Sequence, residues 1–400
     1  MAIKRSLFIS LLVVGLGLPV LAQGWQATLK LAQQNNPDLI SAAKQVESAK
    51  LSYYRSFSPF LPQVSANASS GKSSASYGLS VSQSLFSGFD DYFSSLSAKD
   101  DYDYYQASRQ KAEADVYLQL RQSFVDLAVA DEYITLYKQI FERRKNNTDL
   151  IKLRFESGRE DQGALLRTEA DQADAANNIK VAERSKSLAR LKLSQLVSAE
   201  VDKAEGSLET TGASTPNYGQ ILIAVPSYIM YQKQLDKAEL SYKKTISEFL
   251  PSVSLNGSYQ KTGANWPPTT DSQNWSVSLS YSIFPGGANI ADRLIYQAQL
   301  DKAKQDFQSG VNDLRYGLES AYNSYQDAVE AVKIAKLSLK AAAVRAEISR
   351  TKYLNGLLNY DNWDIIENDY ITAQRNLLAR KKAALYAEAA WHNAYGGYVK

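Results

Sequence analysis

The sequence predicts a mainly α-helical chain that also carries a membrane β-barrel part, built as two copies of one unit. Three landmarks recur in the same order in both halves: Leu-Pro-Gln-Val at 61–64 returns as Leu-Pro-Ser-Val at 250–253, Leu-Phe-Ser-Gly at 85–88 as Ile-Phe-Pro-Gly at 283–286, and Arg-Phe-Glu-Ser-Gly at 154–158 as Lys-Tyr-Leu-Asn-Gly at 352–356. A repeat of this length fixes the architecture. Each copy runs through a helix, two strands and a long helical hairpin, over 23–197 and then 227–396.

The segment 1–22 precedes the first repeat and has the pattern of a secretory signal peptide. Lys4 and Arg5 form a short basic start, an apolar stretch follows, and Ala22 stands at the expected cleavage point. The alternative is a membrane anchor, but the apolar stretch is shorter than the roughly 20 residues that a spanning helix needs. The chain has no cysteine, so neither a disulfide nor an N-terminal lipid on cysteine is available. Its net charge of only +3 gives no support for nucleic-acid binding.

Two pairs of strands are predicted from alternation of apolar and small polar side chains. They cover about 62–70 and 76–87 in the first repeat, and about 251–261 and 274–284 in the second. In the last of them Trp275, Val277 and Leu279 alternate with serines, a period of two. Strands of roughly ten residues can cross a bilayer, with the apolar face in lipid and the serine face in a water-filled lumen. The alternative is a soluble sandwich with one wet face.

Four strands in one chain are too few to close a barrel, since single-chain barrels have about eight or more. An open sheet edge is not tolerated in lipid, because its backbone groups find no hydrogen-bond partner there. If these strands enter a membrane, several copies of the chain must therefore share one barrel.

The helical hairpins are predicted at 88–197 and 286–395. Neither glycine nor proline interrupts the chain between Gly88 and Gly158, enough for a helix of about 65 residues and ~100 Å. We expect Gly158 and Gly356 to end long helices in the left-handed conformation and to start the turns. Strand-to-helix junctions are expected where each strand pair ends and the long helix begins. They contain Phe86 and Gly88 in the first repeat, and Phe284, Gly286 and Gly287 in the second. The paired glycines at 286–287 also have the pattern of a phosphate cradle, but the single glycine of the other repeat favours a tight turn.

Two less regular segments complete the chain. The stretch 198–226, with Gly206, Gly212 and Pro216, is predicted to link the repeats, and 397–400 forms a short tail. The second strand pair is joined by a polar loop at 262–271, which is longer than the loop of the first pair.

Together these junctions and turns resemble the TolC-like outer-membrane efflux protein family, over nearly the whole chain after the signal peptide. The resemblance implies a homotrimer that pools its strands into one twelve-stranded barrel in outer-membrane lipid, and a helical tunnel across the periplasm. It implies a periplasmic adaptor and an inner-membrane pump of the resistance–nodulation–division or ATP-binding cassette type as partners. The expected adaptor-docking turns contain Arg154, Phe155, Gly158, Lys352, Tyr353 and Gly356. The chain is shorter than better-known members, so drug efflux, protein secretion and metal efflux all stay open.

Charged residues past the turns are candidates for a periplasmic gate: Arg159, Glu160, Asp161, Asp361, Asp364 and Glu367. The spacing of the last three puts them on one helix face. They form either a solvated face or, repeated around a symmetric tunnel, a carboxylate ring that selects cations. The residues past the first turn are expected to pair across the closed entrance with charges past the second.

No catalytic, cofactor or metal site is predicted. Catalysis needs a nucleophile and a base, or metal ligands, at defined spacing, and the chain has one histidine, His392, and no cysteine. The predicted function is passive conduction through an outer-membrane exit duct gated at its helical turns. The alternative is a periplasmic coiled-coil scaffold or adhesin without a membrane barrel, and an enzyme is a weaker third interpretation.

Overall fold

The computed structural model describes residues 23–206, 209–210, 212 and 215–397. The predicted signal peptide at 1–22 and residues 398–400 of the tail lie outside the described residues. The helices are α1 (Trp25–Asn35), α2 (Pro37–Arg55), α3 (Asp90–Glu156), α4 (Gln162–Val197), α5 (Tyr218–Ala224), α6 (Pro226–Lys244), α7 (Ala288–Leu354) and α8 (Tyr360–Ala394). The strands are β1 (Gln23–Gly24), β2 (Gln63–Ser70), β3 (Ala75–Phe86), β4 (Ala204–Glu205), β5 (Ser252–Gly263) and β6 (Thr270–Ser280).

The internal repeat is visible in the lengths of corresponding helices. The helices before the strands, α2 and α6, each have 19 residues. The long helices α3 and α7 each have 67, and the returning helices α4 and α8 have 36 and 35. A short 3-10 helix precedes the first strand of each pair, at Ser58–Phe60 and Thr245–Phe249. The two halves of the chain thus have the same order of elements.

The strands of both repeats form one four-stranded antiparallel sheet in the order β2-β3-β5-β6. Its two edges, β2 and β6, come from different repeats. One face is apolar and exposed within the chain, as Leu79 and Leu279 show. On the other face serine hydroxyls pair across the strands, Ser65 with Ser80 at 2.7 Å. This is the two-faced pattern that the alternation predicts.

The last strand differs from its predicted bounds of 274–284: it begins and ends four residues earlier, and the preceding loop shrinks to 264–269. The reason lies in its partner strand. β5 begins just after Pro251, and Ser252 pairs with Ser280, so no strand of the described chain lies opposite 281–284. At the other end Lys261 and Asp271 form an ion pair of 3.2 Å and extend the ladder into the predicted loop.

The chain divides into two compact units. The sheet unit contains 37–118, 215–326 and 390–397, and the turn unit contains 23–36, 119–212 and 327–389. Within the sheet unit, lysines of α6 pair with acids in the first turns of α3: Lys233 Nζ lies 2.8 Å from Asp100, and Lys237 Nζ lies 2.6 Å from Asp101. These pairs fix α6 along the start of the long helix.

The turn unit has an apolar core between its helices. Leu120 and Leu127 of α3 pack with Leu193 of α4 and with Ala32 of α1. A separate cluster joins α3 to α8 through four side chains: Val125, Val129, Leu378 and Leu385. Because α8 belongs to the second repeat, this unit contains one helix hairpin from each copy.

Among the helices of the described part of the chain, none combines the length and the apolar character needed to cross a bilayer. Within the same residues, no three or more His, Cys, Asp or Glu side chains are grouped so that they could hold a metal ion.

Candidate functional site at the helical turns

The two turns of the turn unit have the same backbone design. Gly158 donates its N–H to Phe155 O over 2.9 Å, and Gly356 donates to Tyr353 O over 3.1 Å. Both glycines have φ of +72°, which confirms the predicted left-handed conformation. After the first turn the Asp161 side chain accepts the Ala164 N–H at 2.8 Å and caps α4. Each long helix is therefore stopped by glycine.

A cluster of side chains joins the two turns. The Tyr353 ring stacks on Trp363 at 4.6 Å between centroids, with the planes 3° apart. The Arg154 guanidinium lies 4.6 Å from the centre of the same Tyr353 ring. The Tyr353 hydroxyl donates a hydrogen bond to Glu160, and burial together with this bond raises the pKa of Tyr353 above its usual range. Arg154 and Glu160 belong to the first turn, so the cluster connects the two repeats.

Further from the turns, Glu367 lies neither on a solvated helix face nor on a surface that could line a tunnel, the two settings that the sequence predicts for it. Its side chain is 0% exposed and is held by Arg143 of α3, with Nε to Oε2 at 2.6 Å and Nη2 to Oε1 at 2.7 Å. A carboxylate sealed inside the chain neither forms a solvated face nor contributes to a ring around a tunnel. Both interpretations of the acidic cluster are therefore wrong for Glu367.

Asp364 lies in a second group of charges beside this pair. Arg144 Nη1 of α3 lies 3.4 Å from Asp364 Oδ1 and 3.3 Å from Asp171 Oδ2 of α4. Arg167 Nε approaches the same two carboxylates, at 3.9 Å and 3.6 Å. Burial, and next the charge of Asp171, raise the pKa of Asp364, although both arginines oppose the shift. Three helices thus share one compact ion cluster.

The remaining gate candidates are arranged differently from the expected charge pairs. Glu160 reaches the Tyr353 hydroxyl and, at 3.8 Å, Arg154 of its own turn, rather than a charge past the second turn. Asp161 serves as a helix cap. Arg159 and Asp361 are exposed. Five partners were not predicted: Arg143, Arg144, Arg167, Asp171 and Trp363. The only sequence signal for the two arginines of α3 is the run of three basic residues at 143–145 inside a long helix, which usually indicates a solvated face.

The comparisons with known proteins decide the family. Residues 28–199 and 218–397 match the family model described as outer membrane efflux protein. The chain belongs to this family. A comparison with curated protein sequences finds no significant match.

Solved structures agree with the assignment at the level of the fold. The chain is similar to the MtrE outer membrane channel of Neisseria gonorrhoeae in its open state, with TM-score 0.82, 19% identity, and 94% and 89% of the two chains covered. The CmeC outer membrane channel of Campylobacter jejuni gives TM-score 0.82 and 18% identity over 93% and 85%. The outer membrane protein VceC of Vibrio cholerae gives TM-score 0.82 and 15% identity over 94% and 96%.

This outer membrane efflux protein is thus a channel of the outer membrane with a helical part in the periplasm. The family is one of efflux ducts rather than of enzymes. Nothing in the comparisons favours the scaffold or adhesin interpretation.

The strand-to-helix junctions of this efflux protein differ between its repeats. Gly88 has φ of +65°, and a Cβ there would lie 2.9 Å from Ser247 O, so the backbone packing requires glycine. Gly286 and Gly287 also have positive φ, +69° and +86°, but a Cβ added at either position would meet nothing within 4 Å. Phe86 packs edge-on against Phe89, with ring centroids 5.3 Å apart, whereas Phe284 is exposed beyond the end of β6. All these glycines make tight turns into the long helices.

The turns also present an exposed apolar surface that the sequence reasoning missed in part. Phe155 and Lys352, two predicted docking residues, are exposed, while Tyr353 is buried and Arg154 is half-buried. Leu153, Leu354 and Leu357 are exposed beside them. The apolar surface is therefore supplied mainly by leucines.

Proposed function

We propose that three copies of this efflux protein form one passive exit duct, that its periplasmic end closes through contacts between the helical turns, and that a periplasmic adaptor docks at these turns. The inner-membrane pump behind the adaptor supplies the substrate and the energy. The channel itself only conducts.

The sheet supports an assembly that closes head to tail. Its free edges β2 and β6 are different strands, so the β6 edge of one copy can pair with the β2 edge of the next. Such heterologous contacts produce a ring when the rotation closes. In lipid this closure removes the unpaired backbone groups of both edges. Residues 281–284, which lack a partner strand in the described chain, directly follow the edge strand β6.

The turn unit supports the same head-to-tail arrangement independently. Exposed apolar side chains on its helices lie mainly on α4 and α7. On α7 they have the spacing of a coiled-coil seam, and on α4 they form a second stripe: Ile334, Leu337, Val344 and Ile348 on α7, and Leu166, Val181, Leu188 and Leu191 on α4. Two different stripes fit a contact in which α7 of one copy packs on α4 of the next.

The contact between Tyr353 and Glu160 is the observation that carries the proposed gate. It joins the turn of one repeat to the turn of the other through the hydrogen bond from the Tyr353 hydroxyl to Glu160 and the contact of the Arg154 guanidinium with the Tyr353 ring. Spreading the hairpins must break these contacts. Asp361, exposed in the first turn of α8, is the remaining acid of the predicted cluster that can face the tunnel.

Adaptor docking is assigned to the exposed rim of the turns. Leu153, Phe155, Leu354 and Leu357 are exposed there, next to Lys352. Exposed apolar groups clustered on a helix end typically mark a protein contact. The contacts of Arg154, Glu160 and Tyr353 that join the turns are adjacent in sequence to the docking rim. An adaptor bound at the rim can therefore favour separation of the turns.

A reversible cross-link between the turns tests the gate. The protein has no native cysteine, so a Glu160→Cys/Tyr353→Cys pair supplies the only thiols. Conductance in planar bilayers is measured before and after a short thiol-cleavable cross-linker. We expect cross-linking to lower the conductance and reduction of the linker to restore it, while the conductance of each single-cysteine variant is unaffected by the reagent. Conductance that does not change on cross-linking would overturn the proposed gate.

A further inference from the structure

We propose that Arg144, Arg167, Asp171 and Asp364 form a proton-operated latch, in which uptake of one proton by Asp364 favours the closed arrangement of the turns. The inference rests on the proposed gate at the turns, and it concerns the regulation of that gate. It assigns the regulating ligand as the proton, acting inside the protein rather than at the pore surface.

The latch is built across three helices. Arg144 comes from α3, Arg167 and Asp171 from α4, and Asp364 from α8 of the other repeat. Arg144 also donates a hydrogen bond to Asn368, one turn further along α8. The side chains of Arg144, Asp171 and Asp364 are 8%, 18% and 15% exposed, whereas the side chain of Arg167 is 60% exposed. Opening that moves α8 away from α3 and α4 must bring water to this cluster.

Some buried polar atoms in and beside the cluster have no hydrogen-bond partner. Among the described residues, no hydrogen-bond partner satisfies the buried atoms Asp171 Oδ2 and Tyr360 Oη. Arg144 Nη1 lies 3.3 Å from Asp171 Oδ2 but does not meet it in hydrogen-bonding geometry. Orphaned polar atoms inside a protein are costly and call for an explanation. A carboxylic acid, unlike a carboxylate, has a proton that it can donate.

Two carboxylates converge on the same nitrogen of Arg144, which creates repulsion between them. The charged and titratable groups that face Asp364 are Arg144 from α3, Arg167 and Asp171 from α4, and Tyr360 from its own helix. Tyr353 of α7 stacks next to them on Trp363. A proton on Asp364 removes the repulsion with Asp171 and leaves two guanidiniums to hold one carboxylate. The neutral acid can also donate a hydrogen bond, which a carboxylate cannot.

The direction of the effect follows from linkage. In the closed turn unit, burial and then Asp171 raise the pKa of Asp364. When the turns separate and water enters, the pKa falls back toward the ordinary value of about 3.9. The closed state therefore binds the proton more tightly than the open state. The closed state is therefore stabilised relative to the open state as the pH falls through the raised pKa of Asp364. This stabilisation reaches its full size below the ordinary pKa of an aspartate.

The neighbouring pair of Arg143 and Glu367 also joins α3 to α8 in the closed arrangement. Its carboxylate is fully buried and satisfied by two short hydrogen bonds from one guanidinium. It contains one charge of each sign, so it does not supply the repulsion on which the latch depends.

Single-channel recording across a pH series tests the latch. The wild-type channel is recorded in planar bilayers from about pH 7.5 to about pH 4, and we expect its open probability to fall severalfold as the pH passes through the raised pKa of Asp364. Asp364→Asn mimics the protonated acid without its titration. It should be biased toward closure already at neutral pH and should lose the pH response.

Two further variants make the outcome decisive. Asp369→Asn removes an exposed acid of the same helix that pairs with Arg345 at 3.2 Å, and it should keep the wild-type response. Asp171→Asn removes the repulsion and should shift the midpoint of the response to lower pH, which gives a second readout should Asp364→Asn fail to fold. A wild-type channel that opens on acidification, or Asp364→Asn and Asp171→Asn variants with the full wild-type response, would overturn the latch.

The failure of the latch and the failure of the gate have different signatures. A channel that closes on cross-linking of the turns but ignores pH contradicts only the latch. A channel that ignores the cross-link but loses its pH response in Asp364→Asn contradicts the gate at the turns, and with it this explanation of the response.

Discussion

Arg143 of α3 and Glu367 of α8 form a two-pronged ion pair although they lie 224 positions apart, with nitrogen–oxygen distances of 2.6 and 2.7 Å. The guanidinium also lies 4.8 Å from the ring centre of Tyr370. Burial alone lowers the pKa of Arg143, but the hydrogen bonds to Glu367 raise it above its usual range. The pair thus fixes the first repeat against the second.

Loss of one partner of this pair should strongly destabilise the protein. Arg143→Met leaves a buried carboxylate without its counter-charge, which costs about 3–5 kcal/mol. We expect a clear fall in the denaturation temperature of the detergent-solubilised protein, followed by helical circular dichroism. The double variant Arg143→Met/Glu367→Met should recover a large part of the loss. Arg345→Met, which breaks an exposed pair, should cost only ~0–1 kcal/mol. Equal effects of both single variants would contradict a buried, strongly coupled pair.

Neighbouring residues of β6 should differ in their tolerance of a charged side chain. Leu279 lies on the apolar face and is 69% exposed within the chain, whereas Ser278 belongs to the serine face and pairs in register with Ser254. Leu279→Arg should cost about 2–4 kcal/mol if it lies near the bilayer midplane, and Ser278→Arg should be milder. The yield of folded protein in outer membranes measures the difference. Similar yields for the two variants would show that the apolar face does not meet lipid.

Two glycines of the sheet should differ in their tolerance of a methyl group. A Cβ at Gly78 would lie 2.5 Å from the backbone oxygen of Tyr259, while one at Gly257 would meet the ring of Trp275 at 2.4 Å. A side chain can rotate away, but the backbone of a paired strand cannot. Gly78→Ala should therefore cost about 1–3 kcal/mol by overpacking, and Gly257→Ala less. Thermal denaturation in detergent gives the order, and the reverse order would contradict the role of the backbone contact.

The turn glycines should matter for conformation rather than for space. Nothing lies within 4 Å of a Cβ at Gly158 or Gly356, but both have φ of +72°. Valine at either position should cost roughly 1–2 kcal/mol of local strain, whereas asparagine is better tolerated in this conformation. We expect Gly158→Val and Gly356→Val to reduce efflux by cells more than assembly of the channel, and Gly158→Asn to remain near wild type. Full efflux by both valine variants would remove the turns from the mechanism.

The sequence by itself determines the parts of this protein that depend on local periodicity. The doubled landmarks fix the order of elements in both halves, because each copy repeats the same local pattern. The alternation at Trp275, Val277 and Leu279 identifies the apolar sheet face, since successive side chains of a strand must point to opposite faces. Gly158 and Gly356 mark the turns, because a left-handed residue at a helix end favours glycine.

Only the tertiary structure decides which residues meet. The spacing of Asp361, Asp364 and Glu367 predicts one shared helix face, but Glu367 is buried against an arginine of the other repeat, a partner that local spacing does not specify. The end of β6 at Ser280 is likewise set by where β5 begins, and not by the alternation, which continues to Ile283. Helices and strands form from short-range backbone preferences, whereas ion pairs and strand ends depend on the element packed alongside. For the ion pair of Arg143 and Glu367, that element lies 224 residues away along the chain.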